Sequence, residues 1–107
     1  MTTLPAPVQR VVDAINAADT EAFVAAFTSD GVVNDWGRIL HGSDGVRSWA
    51  DTDAIGQNAT ISVHDATTTG DVTEIRFGWK SNRFNGDSRA FVTVTDDLVS
   101  EFRIPSH

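Results

Sequence analysis

The chain contains no cysteine. Disulfide bonds, thiolate metal sites and cysteine nucleophiles are therefore excluded, and the composition is typical of a protein in a reducing compartment. No apolar stretch approaches the ~20 residues that a membrane-spanning helix requires. Residues 1–7 form neither a basic leader nor an apolar signal segment. We therefore predict a cytoplasmic protein with no membrane association.

Tyrosine is also absent, and basic residues are few. Eight lysines and arginines stand against 15 acidic residues, for a net charge of -7, and the basic residues are scattered along the chain. A surface of this sign repels phosphate backbones, so no nucleic-acid partner is expected. The lack of tyrosine removes the phenolic hydroxyl as a hydrogen-bond donor in any active site.

Signals for bound metals and cofactors are lacking as well. The three histidines, His41, His64 and His107, have no ligand-like spacing, and no Asp-x-Asp cluster completes a metal site. Neither a glycine-rich phosphate loop nor a Gly-x-Ser-x-Gly nucleophile elbow occurs. We therefore expect no metal, no cofactor and no serine-hydrolase chemistry.

The residues that are present suffice for one folded core. Of the 107 residues, 40% are hydrophobic and 21% are charged. These values are typical of a globular chain, and the length predicts a single domain that covers residues 1–107.

The first half of the chain has the periodicity of helices. Val8, Val11, Val12 and Ile15 recur on one helical face, which predicts an amphipathic helix that ends near residues 17–18.

Two further helices are predicted from their capping residues. Asp19 or Thr20 is a suitable N-cap for a second helix that ends at residues 29–31. Ser43 is a suitable N-cap for a third, short helix.

The rest of the chain alternates between apolar and polar residues, as strands do. Short strands are predicted at 32–36 and 38–40, and longer ones at 60–67, 72–80, 89–95 and 98–104. Helices followed by successive antiparallel strands predict an α+β domain.

Several segments in this order resemble the nuclear transport factor 2-like superfamily, and within it the ketosteroid isomerases and the SnoaL-like polyketide cyclases. The segments that carry the resemblance are VQR at 8–10, NAAD at 16–19, FVAAF at 23–27, SDG at 29–31, VND at 33–35 and HGSDGV at 41–46. The resemblance covers nearly the whole chain and is strongest up to residue 49.

The resemblance implies a cone-shaped, curved antiparallel sheet packed against about three N-terminal helices. It further implies a pocket inside the cone for a small apolar or aromatic molecule, and a homodimer formed through the exposed face of the sheet. Members of the superfamily include isomerases, cyclases, dehydratases, epoxide hydrolases and domains without chemistry, so the fold does not by itself imply a reaction.

Asp35 is the residue to which the resemblance assigns chemistry. It falls where the steroid isomerases keep the carboxylate that moves a proton, and such a carboxylate abstracts a proton α to a carbonyl held within hydrogen-bond reach. The residue alone is equally compatible with a turn between two short strands, in which its side chain bonds its own backbone.

The other isomerase positions depart from the family pattern. The tyrosine that donates to the enolate falls at Val11, and the protonated aspartate that assists it falls near Arg89. An arginine binds an oxyanion through its charge and cannot act by the same neutral donation. Asp35 and Arg89 supply only part of the Asp–Arg–Asp trio of the epoxide hydrolases, which disfavours that reaction.

His64 is a second candidate for general acid or base catalysis, since histidine exchanges protons near neutral pH. It falls on the polar face of its predicted strand, beside Asp65. A solvent-facing polar residue is the alternative interpretation.

Aromatic and aliphatic side chains supply the candidate ligand-binding surface. Trp36, Trp49 and Trp79 are the bulkiest surfaces for a flat molecule, and Trp36 is the favoured one because Trp49 and Trp79 are also in register with core residues. The remaining predicted lining residues are Val11, Ile15 and Phe27.

These observations favour a cofactor-independent enzyme of the isomerase, cyclase or lyase type. Asp35 is the predicted proton shuttle, Trp36 and Arg89 shape the site, and the substrate is a small apolar carbonyl compound. The alternative is a non-catalytic ligand-binding or dimerisation domain of the same fold, and the sequence leaves open whether the pocket catalyses a reaction.

Overall fold

A computed structural model describes residues 4–105, which form three α-helices and six β-strands. The helices are α1 (Ala6–Asn16), α2 (Thr20–Ala25) and α3 (Gly42–Asp53), and a 3₁₀ turn covers Ile55–Gln57. The strands are β1 (Phe27–Asp35), β2 (Arg38–His41), β3 (Thr60–Thr69), β4 (Val72–Lys80), β5 (Asn85–Thr95) and β6 (Leu98–Ile104). His107, one of the three histidines considered above, lies outside the described residues.

The strands form one curved, unclosed sheet in the order β2-β1-β6-β5-β4-β3. The α+β cone expected from the sequence is confirmed. Neighbouring strands run antiparallel except β1 and β6, which run parallel. The parallel pair was not predicted, because alternation within a strand does not encode the direction of its neighbour.

The core lies between the helices and the inner face of the sheet. The predicted stripe of α1 is confirmed, since Val8, Val11, Val12 and Ile15 are all buried. The largest fully buried side chains come from all three helices and the strands: Trp49, Phe23, Phe77, Phe102, Ile15 and Ile75. Burial of aromatic and branched side chains of this size supplies most of the stability of such a domain.

The boundary between α2 and β1 differs from the prediction. Asp19 caps α2 as expected, by accepting the backbone N–H of Ala22 at 3.1 Å. Residues 29–31, however, lie inside β1 and do not end the helix. The reason is the sheet itself, since the Ala26 carbonyl accepts the N–H of Val99 at 2.8 Å and the chain enters the sheet at once.

The start of α3 also differs from the prediction. The helix begins at Gly42 directly after His41, and no side chain caps it, so the proposed Ser43 cap is wrong. Its first turn lies against β2, where a Cβ at Gly45 would come within 2.6 Å of the Leu40 carbonyl carbon. The absence of a side chain at Gly45 therefore lets the helix backbone lie this close to β2.

No helix among residues 4–105 is both long and apolar enough to cross a membrane.

The amide of Asn16 joins the end of α1 to the edge strand β3. Its Oδ1 accepts the Ile61 N–H at 2.8 Å, and its Nδ2 donates to the Ile61 carbonyl at 2.9 Å. Both bonds are partly buried, so loss of the side chain leaves two backbone groups without their partner.

We therefore expect Asn16→Ala to lower the free energy of unfolding by about 1–3 kcal/mol. Gln9→Ala is the matched control, because the Gln9 side chain donates an exposed hydrogen bond to Asp13 within the same helix. Urea titration of both variants measures the difference. Equal effects of the two substitutions would show that the bridge to β3 carries no special weight.

An exposed ion pair between Glu21 and Arg47 joins α2 to α3. Two hydrogen bonds from the Arg47 guanidinium, together with its charge, hold the pKa of the Glu21 carboxyl below its usual value. A folded-state pKa that is lowered contributes stability above the unfolded-state pKa, and this contribution is lost as the pH falls through the folded-state value.

Arg47→Met should raise the pKa of Glu21 toward its usual value, as measured by NMR titration of the carboxyl carbon. Arg10→Met, which breaks a different exposed pair with Asp97, should leave the Glu21 curve in place. An unchanged Glu21 titration in Arg47→Met would contradict the assignment.

Candidate functional site

A cavity of about 270 Å³ lies at one end of the cone. Its walls come from α3, the end of β1, strands β4, β5 and β6, and the turn between β4 and β5. The lining residues are Asp35, Trp36, Trp49, Asp53, Phe77, Trp79, Ser81, Arg83, Phe84, Ser88 and Ile104. The walls are thus largely aromatic, with a few polar side chains, as is typical of small-molecule sites.

Asp35 is the last residue of β1, and a tryptophan of α3 holds its carboxylate. The Nε1–H of Trp49 donates to Oδ2 of Asp35 at 3.1 Å. Trp49 is only 1% exposed, and its ring packs against Phe23 and Phe102 with centroids 5.8 and 5.9 Å away. Since core packing fixes the indole, the donor that orients the carboxylate is rigid.

The sequence was compatible with Asp35 either as a cavity residue or as the residue that stabilises the turn after β1. Oδ1 of Asn34 accepts the Gly37 N–H at 3.0 Å, so the side chain that stabilises this turn is Asn34. Asp35 instead lines the cavity. Trp36 has a positive φ of 56° and is 56% exposed, which places its ring at the mouth.

A carboxylate shared by two arginines forms one side of the mouth. Asp53 is the last residue of α3, and its side chain is 15% exposed. Oδ2 accepts from Arg38 at 2.6 Å, while Oδ1 accepts from Thr52 at 2.8 Å and from Arg83 at 3.3 Å. Arg38 therefore makes the shorter of the two ion pairs with Asp53.

The turn between β4 and β5 presents Arg83 and Phe84 to the cavity. Oγ of Ser81 accepts the N–H groups of Arg83 and Phe84 at 3.2 and 3.0 Å. The Asn82 N–H also donates to the Gln57 carbonyl at 2.9 Å, which ties the turn to the 3₁₀ segment. The backbone of this turn is therefore well bonded although it is exposed.

Within residues 4–105, no group of three or more His, Asp or Glu side chains is arranged to hold a metal ion.

Residues 8–104 match the SnoaL-like domain family. The chain belongs to that family. No curated protein sequence matches it at a significant level.

Solved structures with the fold of this SnoaL-like domain have diverse descriptions. A proposed polyketide cyclase from Sinorhizobium meliloti is 24% identical, with a TM-score of 0.83 and coverage of 94% of each chain. A computationally designed 17-OHP binder is 18% identical, with a TM-score of 0.83 and coverage of 96% of this chain and 91% of that one. A protein of ketosteroid isomerase-like fold from Catenulispora acidiphila, in complex with trimethylamine, is 17% identical, with a TM-score of 0.79 and coverage of 97% and 87%. At these identities the comparison establishes the fold of the domain alone.

The structure of the SnoaL-like domain brings four of the predicted site residues together. Asp35, Trp36, Trp49 and Trp79 all line the cavity. Trp49 is also a core residue. It therefore fills both roles given for it from the sequence, as a core residue and as a surface of the cavity.

Three predicted lining residues lie elsewhere. Val11, Ile15 and Phe27 are buried in the hydrophobic core and do not line the cavity. Their periodicity identified a buried face correctly, but a buried face and a cavity wall have the same pattern in sequence.

His64 and Arg89, the other two predicted polar site residues, lie on the outer face of the sheet. His64 follows the inward-facing Val63 in β3, and a Cβ at Gly78 would lie 3.2 Å from its Nε2. Nε2 of His64 is also 3.7 Å from Oδ1 of Asp87. Neither His64 nor these neighbours line the cavity.

Arg89 likewise points away from the cavity. It pairs across the sheet with Arg76, its Nη1 lies 3.4 Å from Glu74, and its guanidinium lies over the ring of Phe91 at 5.6 Å. Ser88, its neighbour in the chain, lines the cavity instead, because successive side chains of a strand face opposite sides.

Several lining residues were not predicted from the sequence: Asp53, Phe77, Ser81, Arg83, Phe84, Ser88 and Ile104. Phe77 and Ile104 were detectable, since each stands on the apolar face of a correctly predicted strand. Arg83 and Phe84 belong to a turn, where no periodicity reports the direction of a side chain.

Proposed function

We propose that this SnoaL-like domain is a cofactor-independent enzyme of the isomerase, cyclase or lyase type. It moves a proton on a small, largely apolar carbonyl compound, and Asp35 is the proton shuttle. The observation that supports this proposal is the carboxylate of Asp35 at the wall of an aromatic cavity, with Oδ2 bound to the buried indole of Trp49.

The proposed step needs no electron acceptor. The Asp35 carboxylate takes a proton from the carbon next to the carbonyl, and the electron pair of that C–H bond becomes the carbon–carbon double bond of the enolate. The carbonyl π pair moves to oxygen, which then carries the negative charge. In a conjugated enolate, return of the proton from Asp35 to the γ-carbon shifts the double bond and completes an isomerisation. In a cyclisation, the enolate carbon bonds to a second carbonyl carbon of the same molecule, the π pair of that carbonyl moves to its oxygen, and this alkoxide takes the proton from Asp35.

The shape of the cavity supports a flat and small substrate. Trp36, Trp79 and Phe84 provide aromatic surfaces on several sides, and the volume of about 270 Å³ lies near the lower end of ligand pockets. Aromatic walls gain stabilisation from apolar rings through burial and offset stacking. We therefore favour mono- and bicyclic ketones over larger molecules.

A non-catalytic binding domain is the second candidate function. A designed 17-OHP binder has the same fold, so binding is one use to which this cone has been put. The two candidates differ in one requirement: a binder needs only the cavity, whereas an enzyme needs the Asp35 carboxylate.

The discriminating measurement is exchange of the α protons of 2-tetralone for deuterium, followed by NMR. The wild-type domain should accelerate the exchange, and Asp35→Asn should slow it by ~10² or more, because the asparagine side chain cannot accept the proton. Asp87→Asn is the matched control, since Asp87 is a carboxylate on the outer face of the same sheet. It should exchange at the wild-type rate.

Wild-type exchange equal to that of Asp35→Asn would overturn the enzymatic proposal. Saturable quenching of tryptophan fluorescence by the same ketone, without accelerated exchange, would favour the binding domain.

We also propose that the domain forms a homodimer through the outer face of the sheet. Phe91 lies at the centre of this face, between the guanidinium groups of Arg103 and Arg89, at 4.6 and 5.6 Å from its ring centroid. Ile39 on β2 is 58% exposed on the same face. An aromatic ring flanked by arginines is a composition enriched at protein interfaces.

Sedimentation at micromolar concentration should therefore give twice the mass of the chain, and Phe91→Glu should give the monomer. Phe84→Glu, which changes an exposed phenylalanine on the cavity side, should remain dimeric. A monomeric wild type would contradict the proposal.

A further inference from the structure

The cavity contains one basic residue, and it is not the one that the sequence suggested. Arg89 was predicted to shape the site but lies on the outer face of the sheet. Among the eleven residues that line the cavity, Arg83 is the only lysine or arginine. A guanidinium and the Asp35 carboxylate thus face one shared space.

The guanidinium of Arg83 is only partly paired by its neighbours. Asp53 already accepts a hydrogen bond from Arg38 at 2.6 Å on one carboxylate oxygen and one from the Thr52 hydroxyl at 2.8 Å on the other. Arg83 adds a single bond at 3.3 Å from Nη1, the only side-chain hydrogen bond found for it among residues 4–105. Two guanidinium groups therefore share one carboxylate, and most N–H donors of Arg83 remain available.

The backbone of Arg83 is held although its side chain is 61% exposed. The Ser81 hydroxyl accepts its N–H at 3.2 Å, and the Asn82 N–H is anchored to the Gln57 carbonyl. The guanidinium is therefore delivered to the mouth by a fixed turn, with only the side chain free to adjust to a ligand.

We propose that the cavity selects flat apolar molecules that carry an anionic oxygen, and that the Arg83 guanidinium holds this oxygen. A carboxylate, a phenolate and an enolate share this chemistry. This assignment rests on the proposed function in one respect: the enolate that Asp35 generates is such an oxygen. Arg83 is then the catalytic residue that stabilises the negative charge that develops on the enolate oxygen.

The arrangement has a consequence for Asp35. A charged Asp35 repels an anionic ligand in the same cavity, whereas Asp35 that has taken up a proton does not. During proton transfer the negative charge leaves Asp35 and appears on the oxygen beside Arg83, which stabilises the intermediate more than the substrate. Asp35→Asn, a neutral mimic of the protonated state, should therefore bind anions more tightly than the wild type.

The test compares 2-naphthoate with the neutral 2-naphthamide by quenching of tryptophan fluorescence. Arg83→Gln should weaken binding of 2-naphthoate ~10-fold or more, the range expected for a charged hydrogen bond, and should change 2-naphthamide binding much less. Arg83→Lys should retain part of the preference for the anion. Arg89→Gln is the matched control and should leave the affinities for both compounds unchanged.

Several results would overturn the assignment. These are equal losses for the two compounds in Arg83→Gln, an equal effect of Arg89→Gln, binding of 2-naphthoate to Asp35→Asn that is no tighter than to the wild type, or binding of neither compound to the wild type at millimolar concentration. Arg83→Lys retains the positive charge and keeps the test decisive if Arg83→Gln fails to fold.

The outcome is separable from that of the deuterium exchange. Exchange that depends on Asp35, with anion binding that is indifferent to Arg83, rejects the role of Arg83 alone. An Arg83-dependent anion preference without exchange rejects the proton transfer alone.

Discussion

The packing of Trp49 is the constraint on which both the core and the candidate site depend. Its ring lies among Phe23 of α2, Phe102 of β6 and Trp79 of β4, while its N–H donates to Asp35 at the end of β1. One side chain of α3 thus contacts another helix and three strands. Truncation of a buried aromatic residue to alanine costs about 3–5 kcal/mol. The position of the carboxylate is therefore inherited from the core.

The two faces of the sheet divide the remaining chemistry. The inner face supplies the core and the cavity walls, and the outer face carries charged side chains such as Glu74, Arg76 and Arg89. Because side chains alternate along a strand, Ser88 reaches the cavity and Arg89 the outer face, although they are adjacent in the chain. A shift of one residue in any alignment of β5 therefore exchanges a site residue for a surface residue.

The sequence predicted those elements that are specified by residues close together in the chain. The bounds of β4 and β6 agree with the alternation, since Gly70 lies in the turn before β4 and Pro105 follows β6. His64 lies on the polar face that the alternation predicted, and this face is turned away from the cavity. Arg83 was missed because its direction is set by hydrogen bonds from a turn to distant parts of the chain.

The turn at residues 81–84 lies outside the hydrophobic core, and its side chains can therefore change during evolution independently of the core. Its backbone is held by the Ser81 hydroxyl and the Gln57 carbonyl, and not by the side chains of Arg83 or Phe84. Those two positions are therefore open to exchange without the loss of buried packing. A lineage that keeps Trp49 and Asp35 can acquire new ligands by altering this short segment, so selection for recognition and selection for folding act on different residues.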